Sequence, residues 1–133
     1  MSRIFKVRLF SRWSEAENVS DSVLCQAARE LESGLYDANL GGNLYKKRIP
    51  HSGRGKRGGA RTIIATRFEG KMFFMAGFAK NVQENIDRAT LTALKEYAVI
   101  LFRMTDKDIE KSLELKRLRE VKCDEENAVA GNP

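Results

Sequence analysis

Histidine is nearly absent from this chain: of 133 residues, one is His and two are Cys. A Cys–His nucleophilic pair is therefore a poor reading, since His51 has no evident acidic orienter and neither Cys25 nor Cys123 sits in a nucleophile motif. The two cysteines lie far apart, so the expectation is a reduced, cytosolic protein. No apolar run approaches the length of a membrane span. Met1-Ser2-Arg3 leads straight into a short apolar stretch broken by Lys6 and Arg8, which does not read as a signal peptide. Internal repeats are missing too, and the length suits one domain over residues 1–121, followed by a polar, flexible tail over 122–133.

Acidic residues are missing from one long stretch. Between residues 46 and 67 there is no Asp or Glu, while Lys46, Lys47, Arg48, Arg54, Lys56, Arg57, Arg61 and Arg67 are all cationic. The whole chain carries a formal charge of +6, which favours a polyanionic partner. Within the stretch, Gly53-Arg54-Gly55-Lys56-Arg57-Gly58 fits G-x-G-x-x-G. A dinucleotide turn needs a strand before the glycines and a helix after them. Here Gly59 passes instead into ARTIIATRF, a β-prone run, so no nucleotide cofactor is expected, and no metal site either. Two readings of the loop remain: a solvated basic loop, or a surface that holds RNA phosphates through forked arginine donors and close glycine backbone.

The periodicities outline an α+β chain. Ile4 to Phe10 alternates with Phe5, Val7 and Leu9 on one side, predicting a half-buried strand. Phe10 to Glu17 reads as a short helix or a turn. Ser20 is a helix N-cap, the apolar positions from Val23 to Leu31 recur at helical spacing, and Gly34 closes the helix. Residues 34–44 read as a turn-rich connection and 44–50 as a second strand. Residues 60–68 and 71–80 read as an antiparallel hairpin around Glu69-Gly70. Residues 87–104 form a helix, and Thr105-Asp106-Lys107-Asp108 is a capping box for a further C-terminal helix over 105–121.

The order of these features carries a resemblance. GRGKRGGARTIIATR followed by KMFFMAGFAKN is similar to the RelE/HigB family of bacterial type II toxins, over about residues 44–104. The resemblance implies a small antiparallel sheet with an N-terminal strand and helices packed on it, related to small microbial ribonucleases, with the C-terminal helix as an extra. It implies a toxin that cleaves mRNA in the ribosomal A site and is held inactive by a cognate antitoxin. A helix-turn-helix antitoxin is the expected partner, with operator DNA reached only through it and no membrane involved. Arg61 falls on the family's strand-opening arginine, Arg54, Lys56 and Arg57 in its basic loop, and Lys80 on the lysine ending the next strand. Asn81 stands where many relatives carry a further arginine or another catalytic group.

On this reading the catalytic set is Arg61, Lys56, Lys80 and His51. Arg54, Arg57, Lys46, Lys47, Arg67 and Asn81 bind RNA. The 2′-OH of RNA attacks the adjacent phosphate, so a protein must stabilise charge on phosphorus and move two protons. Crowded cations can do the first and can lower a lysine's pKa for the second. His51 is either an acid or base, or simply solvated. Phe74 and Phe78 either stack on a base or belong to the core. Two other functions compete: a gyrase-inhibiting toxin of the related ParE type, and a non-catalytic RNA-binding module.

Overall fold

A computed structural model of the chain describes residues 2–51, 59–79 and 86–123. Strand β1 (Arg3–Val7) buries Phe5 and Val7 as predicted, but Ile4 and Lys6 are buried as well, so the expected half-buried strand is corrected to one covered on both faces, and it ends three residues before Phe10. Helix α1 (Arg8–Ala16) takes over at once. The helical period is the better fit to RLFSRWSEA, because it puts Phe10, Trp13 and Ser14 on one inner face and turns Leu9 out to 69 % exposure. The expected strand to Phe10 is thus corrected to a strand followed by a helix.

Helix α2 (Asp21–Glu32) is capped as the sequence predicts, with the Ser20 hydroxyl accepting from Val23 N at 3.3 Å. The connection after it is not all turn. It carries strand β2 (Ala38–Gly41), which pairs with β3 (Leu44–Ile49). Gly41, Gly42 and Asn43 all adopt positive φ, which only such residues take readily, and this reverses the chain in three residues. Strands β4 (Ala60–Thr66) and β5 (Lys71–Ala79) form the expected antiparallel hairpin.

Helix α3 (Arg88–Phe102) begins at Asp87, whose carboxylate accepts from Thr90 N at 2.8 Å. That bond holds the Asp87 carboxyl below its usual range. Thr105 and Asp108 close the predicted capping box on α4 (Asp106–Glu114). The helix then stops seven residues short of the expected Val121. Lys116 turns the chain at φ +62°, and β6 (Leu118–Glu120) pairs antiparallel with β1. Burial explains the switch: Leu118 is buried and Arg119 exposed, an alternation that a strand on the sheet edge satisfies.

Among the described residues, six strands lie in the order β2-β3-β4-β5-β1-β6, with β1 and β5 parallel and the other pairs antiparallel. Alternate residues of a strand face opposite sides, and a register shift in β5 opposite Ile63 and Ile64 reverses that parity between Phe74 and Ala76. Gly77 on β5 faces α1, where Trp13 lies against it, and Phe74 meets Phe10 of α1 at 5.2 Å. Phe73 faces the other way and meets Phe102 of α3 at 6.2 Å. The sheet is therefore sandwiched, with α1 and α2 on one face and α3 on the other. Arg3 ties β1 to β6 by a two-pronged bond to Glu120, at 2.8 and 2.9 Å, which holds that carboxyl below its usual range.

Gly77 makes one packing requirement explicit. A Cβ there would run into the ring carbons of Trp13. Gly77→Ala should cost about 1–3 kcal/mol through this overlap. Denaturant melts of the two proteins measure it, and an unchanged midpoint would mean that Trp13 can step aside freely.

The cysteines correct the reduced reading. Cys25 on α2 and Cys123 just after β6 form a disulfide, with Cα atoms 5.7 Å apart across 98 residues of sequence. The β6 pairing brings them together, since it returns the chain's end to the edge of the sheet beside α2. Residues 122 and 123 of the expected tail are anchored here, and Lys122 N also donates to Asp21 Oδ2 at 3.0 Å. Residues 124–133 lie outside the described residues.

Candidate nucleic-acid interface

The cationic run of β3 is divided by its own alternation. Lys47 pairs in register with Thr62, on the α1/α2 face, and its ammonium meets Glu30 of α2 at 2.7 Å. Its side chain is 6 % exposed. The expectation of Lys47 as an RNA contact is therefore corrected: it is a buried partner of α2. Lys46 and Arg48 project from the opposite face, the one that α3 covers further along the sheet.

Arg61, on β4, stands directly opposite Arg48 on β3 and opposite Phe78 on β5. All three belong to one face. Side chains opposite one another in antiparallel strands lie about 5 Å apart at Cβ, where like charges repel. Among the described residues, one carboxylate answers them. Asp37, just before β2, places Oδ2 3.8 Å from the Nε of Arg48 and 3.8 Å from the Nε of Arg61. Arg61 is mostly buried, its side chain 16 % exposed, and the stretch Arg48–Arg61–Phe78 forms a basic floor with an aromatic edge. Arg48 Nε and Arg61 Nη1 are buried without a hydrogen-bond partner among the described residues. Phe78 is half-buried, whereas Phe74 is fully enclosed and belongs to the core.

The Gly-rich segment starts from the same end of the sheet. Ile49, Ala60 and Ala79 lie side by side at strand ends, so the chain leaves towards residue 52, returns from 58 and leaves again towards 80 at one edge. Arg54, Lys56, Arg57, Lys80 and Asn81 themselves lie outside the described residues.

The remaining expected residues sit elsewhere. His51 does have an acidic partner, against expectation: its Nε2 is 2.8 Å from Glu17 Oε1, and its ring stacks on Trp13 with centroids 6.4 Å apart. Trp13 belongs to α1 and Glu17 is that helix's C-cap, so His51 is held on the face opposite Arg61. Arg67 follows the last residue of β4. Its guanidinium lies 5.0 Å above the ring of Phe102 and 3.3 Å from Glu69, at the far end of a strand that spans about 20 Å. Arg67 is therefore not brought to Arg61.

Sequence reading missed Arg48 as a member of this face and Asp37 altogether. Arg48 was legible, because it has the same parity as Lys46 in β3. Asp37 was not, because nothing local marks a bend residue as the neighbour of strands that follow it.

A family model, the RelE toxin of the RelE/RelB toxin–antitoxin system, matches residues 2–121. The chain belongs to the RelE toxin family. No curated protein matches it. The match spans every described strand and helix and includes Arg48, Arg61 and Phe78. It ends two residues before Cys123, so the disulfide joins the family domain to a residue beyond it. The protein is thus the toxin of a toxin–antitoxin pair and has a cognate antitoxin as partner. Among the described residues, no helix of this toxin is long and apolar enough to cross a membrane.

Proposed function

We propose that this toxin is a ribosome-dependent mRNA endoribonuclease of the cytoplasm that blocks translation. The observation that carries the reading is the cross-strand pair of Arg48 and Arg61, set on one sheet face beside Phe78 and next to the ends of the basic segment. Arginine forks match phosphate oxygens, and Phe78 offers a ring for an unstacked base.

In this mechanism Arg61 grips the scissile phosphate in the A-site mRNA. The 2′-oxygen attacks phosphorus and loses its proton. The bond to the 5′-oxygen breaks and that oxygen is protonated, which leaves a 2′,3′-cyclic phosphate and a 5′-hydroxyl. Lys56 or Lys80 transfers protons, and Arg54 and Arg57 hold the flanking phosphates, with Lys46 on the same face as Arg61. Asn81 contributes a neutral contact. His51 drops out of the acid–base set in favour of anchoring the start of the basic segment to α1 through Glu17 and Trp13. The antitoxin, proposed to be a helix-turn-helix protein, holds the toxin inactive and gives it its only access to operator DNA.

A cluster of arginines and lysines aligns RNA poorly by itself. Presentation by the ribosome supplies that alignment, which is worth several kcal/mol of barrier. The test is end mapping on one mRNA with and without translating ribosomes. Cutting that depends on ribosomes, with 2′,3′-cyclic or 3′-phosphate ends, is the expected result. Equal cutting of naked RNA would remove the ribosome requirement. No cutting in either reaction, with DNA supercoiling arrested instead, would make the protein a gyrase inhibitor.

A further inference from the structure

Two arginines side by side on neighbouring strands need a counter-charge, and the fold supplies an internal one. The Asp37 carboxylate lies 3.8 Å from both Nε atoms. That distance is close enough for attraction and too long for a hydrogen bond. The carboxylate therefore neutralises the pair without engaging its donors. Arg48 Nε and Arg61 Nη1, both buried, are left without a hydrogen-bond partner among the described residues. Unmade buried donors are unfavourable, more so when they are charged. The backbone of Asp37 is fixed, its N–H donating to Lys46 O at 2.8 Å, but its side chain is 28 % exposed and can turn outward without moving the chain.

We propose that Asp37 is a resident counter-anion that stands in for a substrate phosphate between Arg48 and Arg61, and that an RNA phosphodiester displaces it on binding. A phosphodiester matches the carboxylate in charge and in its pair of acceptor oxygens. It also reaches further, so it can accept from the donors that Asp37 leaves unmet. Asp37 thereby keeps two repelling guanidinium groups in place in the empty toxin and sets a threshold that weak anions do not pass. It is a positioning and specificity residue, since it leaves the site when substrate arrives. The inference rests on the phosphate-binding role proposed above for Arg61.

The two halves of this role move in opposite directions, and that makes it testable. Asp37→Asn removes the competitor and the counter-charge together. Binding of a short, uncleavable 2′-O-methyl oligoribonucleotide, followed by fluorescence anisotropy at fixed salt, should tighten by about three- to ten-fold. The thermal midpoint of the free protein should fall in the same variant. Asp37→Ser should behave alike, and it serves if the asparagine variant folds poorly. Weaker or unchanged binding, with a lower midpoint, would reduce Asp37 to a structural brace and overturn the proposal. Arg61→Ala, measured beside it, separates the two levels. If Arg61→Ala weakens binding while Asp37→Asn fails to tighten it, this inference alone fails. If Arg61→Ala leaves binding unchanged, the phosphate-binding reading fails with it.

Discussion

Arg61→Ala should lower ribosome-dependent cleavage by about 10²- to 10³-fold, the usual cost of losing one preorganised donor to a charged transition state. The variant should still fold, but not without cost. The Arg61 side chain is only 16 % exposed and its stem packs within the sheet face, so truncation should destabilise by about 1–2 kcal/mol. A solvated arginine would cost less, and burial is what raises the figure. Part of the loss is offset, because Asp37 keeps Arg48 as its partner and is not left as an unpaired carboxylate. Arg61→Lys restores the charge but not the fork, so its rate should lie between those of the wild type and the alanine variant. The measurement is mRNA end mapping with ribosomes at equal soluble protein, beside a thermal melt. Wild-type cleavage by the alanine variant would take Arg61 out of the mechanism.

Local chemistry made most of the helices and the central hairpin legible. Ser20 and the Thr105–Asp108 box cap helices where the sequence said they would, because caps are satisfied by residues next to them. The β4–β5 hairpin follows from two β-prone runs around a glycine turn. The edge strands did not show. β2 and β6 are four and three residues long, and each exists because a neighbouring strand offers it hydrogen bonds. Sequence periodicity cannot register a partner that lies elsewhere in the chain.

The site was legible to the same depth. Arg61 came from the loop–strand junction, and Lys46 from the cationic run of β3. Treating that run as one patch failed at Lys47, because a strand turns successive side chains to opposite faces and Glu30 waits on the other side. Arg67 is not brought to Arg61, since six residues along a strand carry a charge about 20 Å away. Asp37, Glu17 and the Cys25–Cys123 pair are tertiary facts. Each depends on which elements the sheet order brings together.

The disulfide has the largest expected effect on stability. Opening it frees a loop of 98 residues of sequence separation in the unfolded chain, and the loop-closure account puts such a bond at about 2–5 kcal/mol. For a domain of this size, reduction should lower the thermal midpoint by about 10–20 °C. The native contacts around it do not depend on the bond. Val121 N donates to Ile4 O at 2.8 Å and Lys122 N to Asp21 Oδ2 at 3.0 Å, so β6 should stay on the sheet in the reduced protein. The loss then comes from the unfolded ensemble, and Cys25→Ser with Cys123→Ser should reproduce the midpoint of the reduced wild type. Melts with and without dithiothreitol, beside a thiol titration of the unreduced protein, measure this. Two free thiols before reduction and one midpoint for all samples would show the pair to be open. Cleavage at a temperature well below both midpoints should be the same in the two redox forms, because Cys25 lies on the α2 side of the sheet and Arg61 on the other. In a reducing compartment the working toxin would accordingly be the less stable form, with an intact interface and a larger unfolded fraction for proteases to remove.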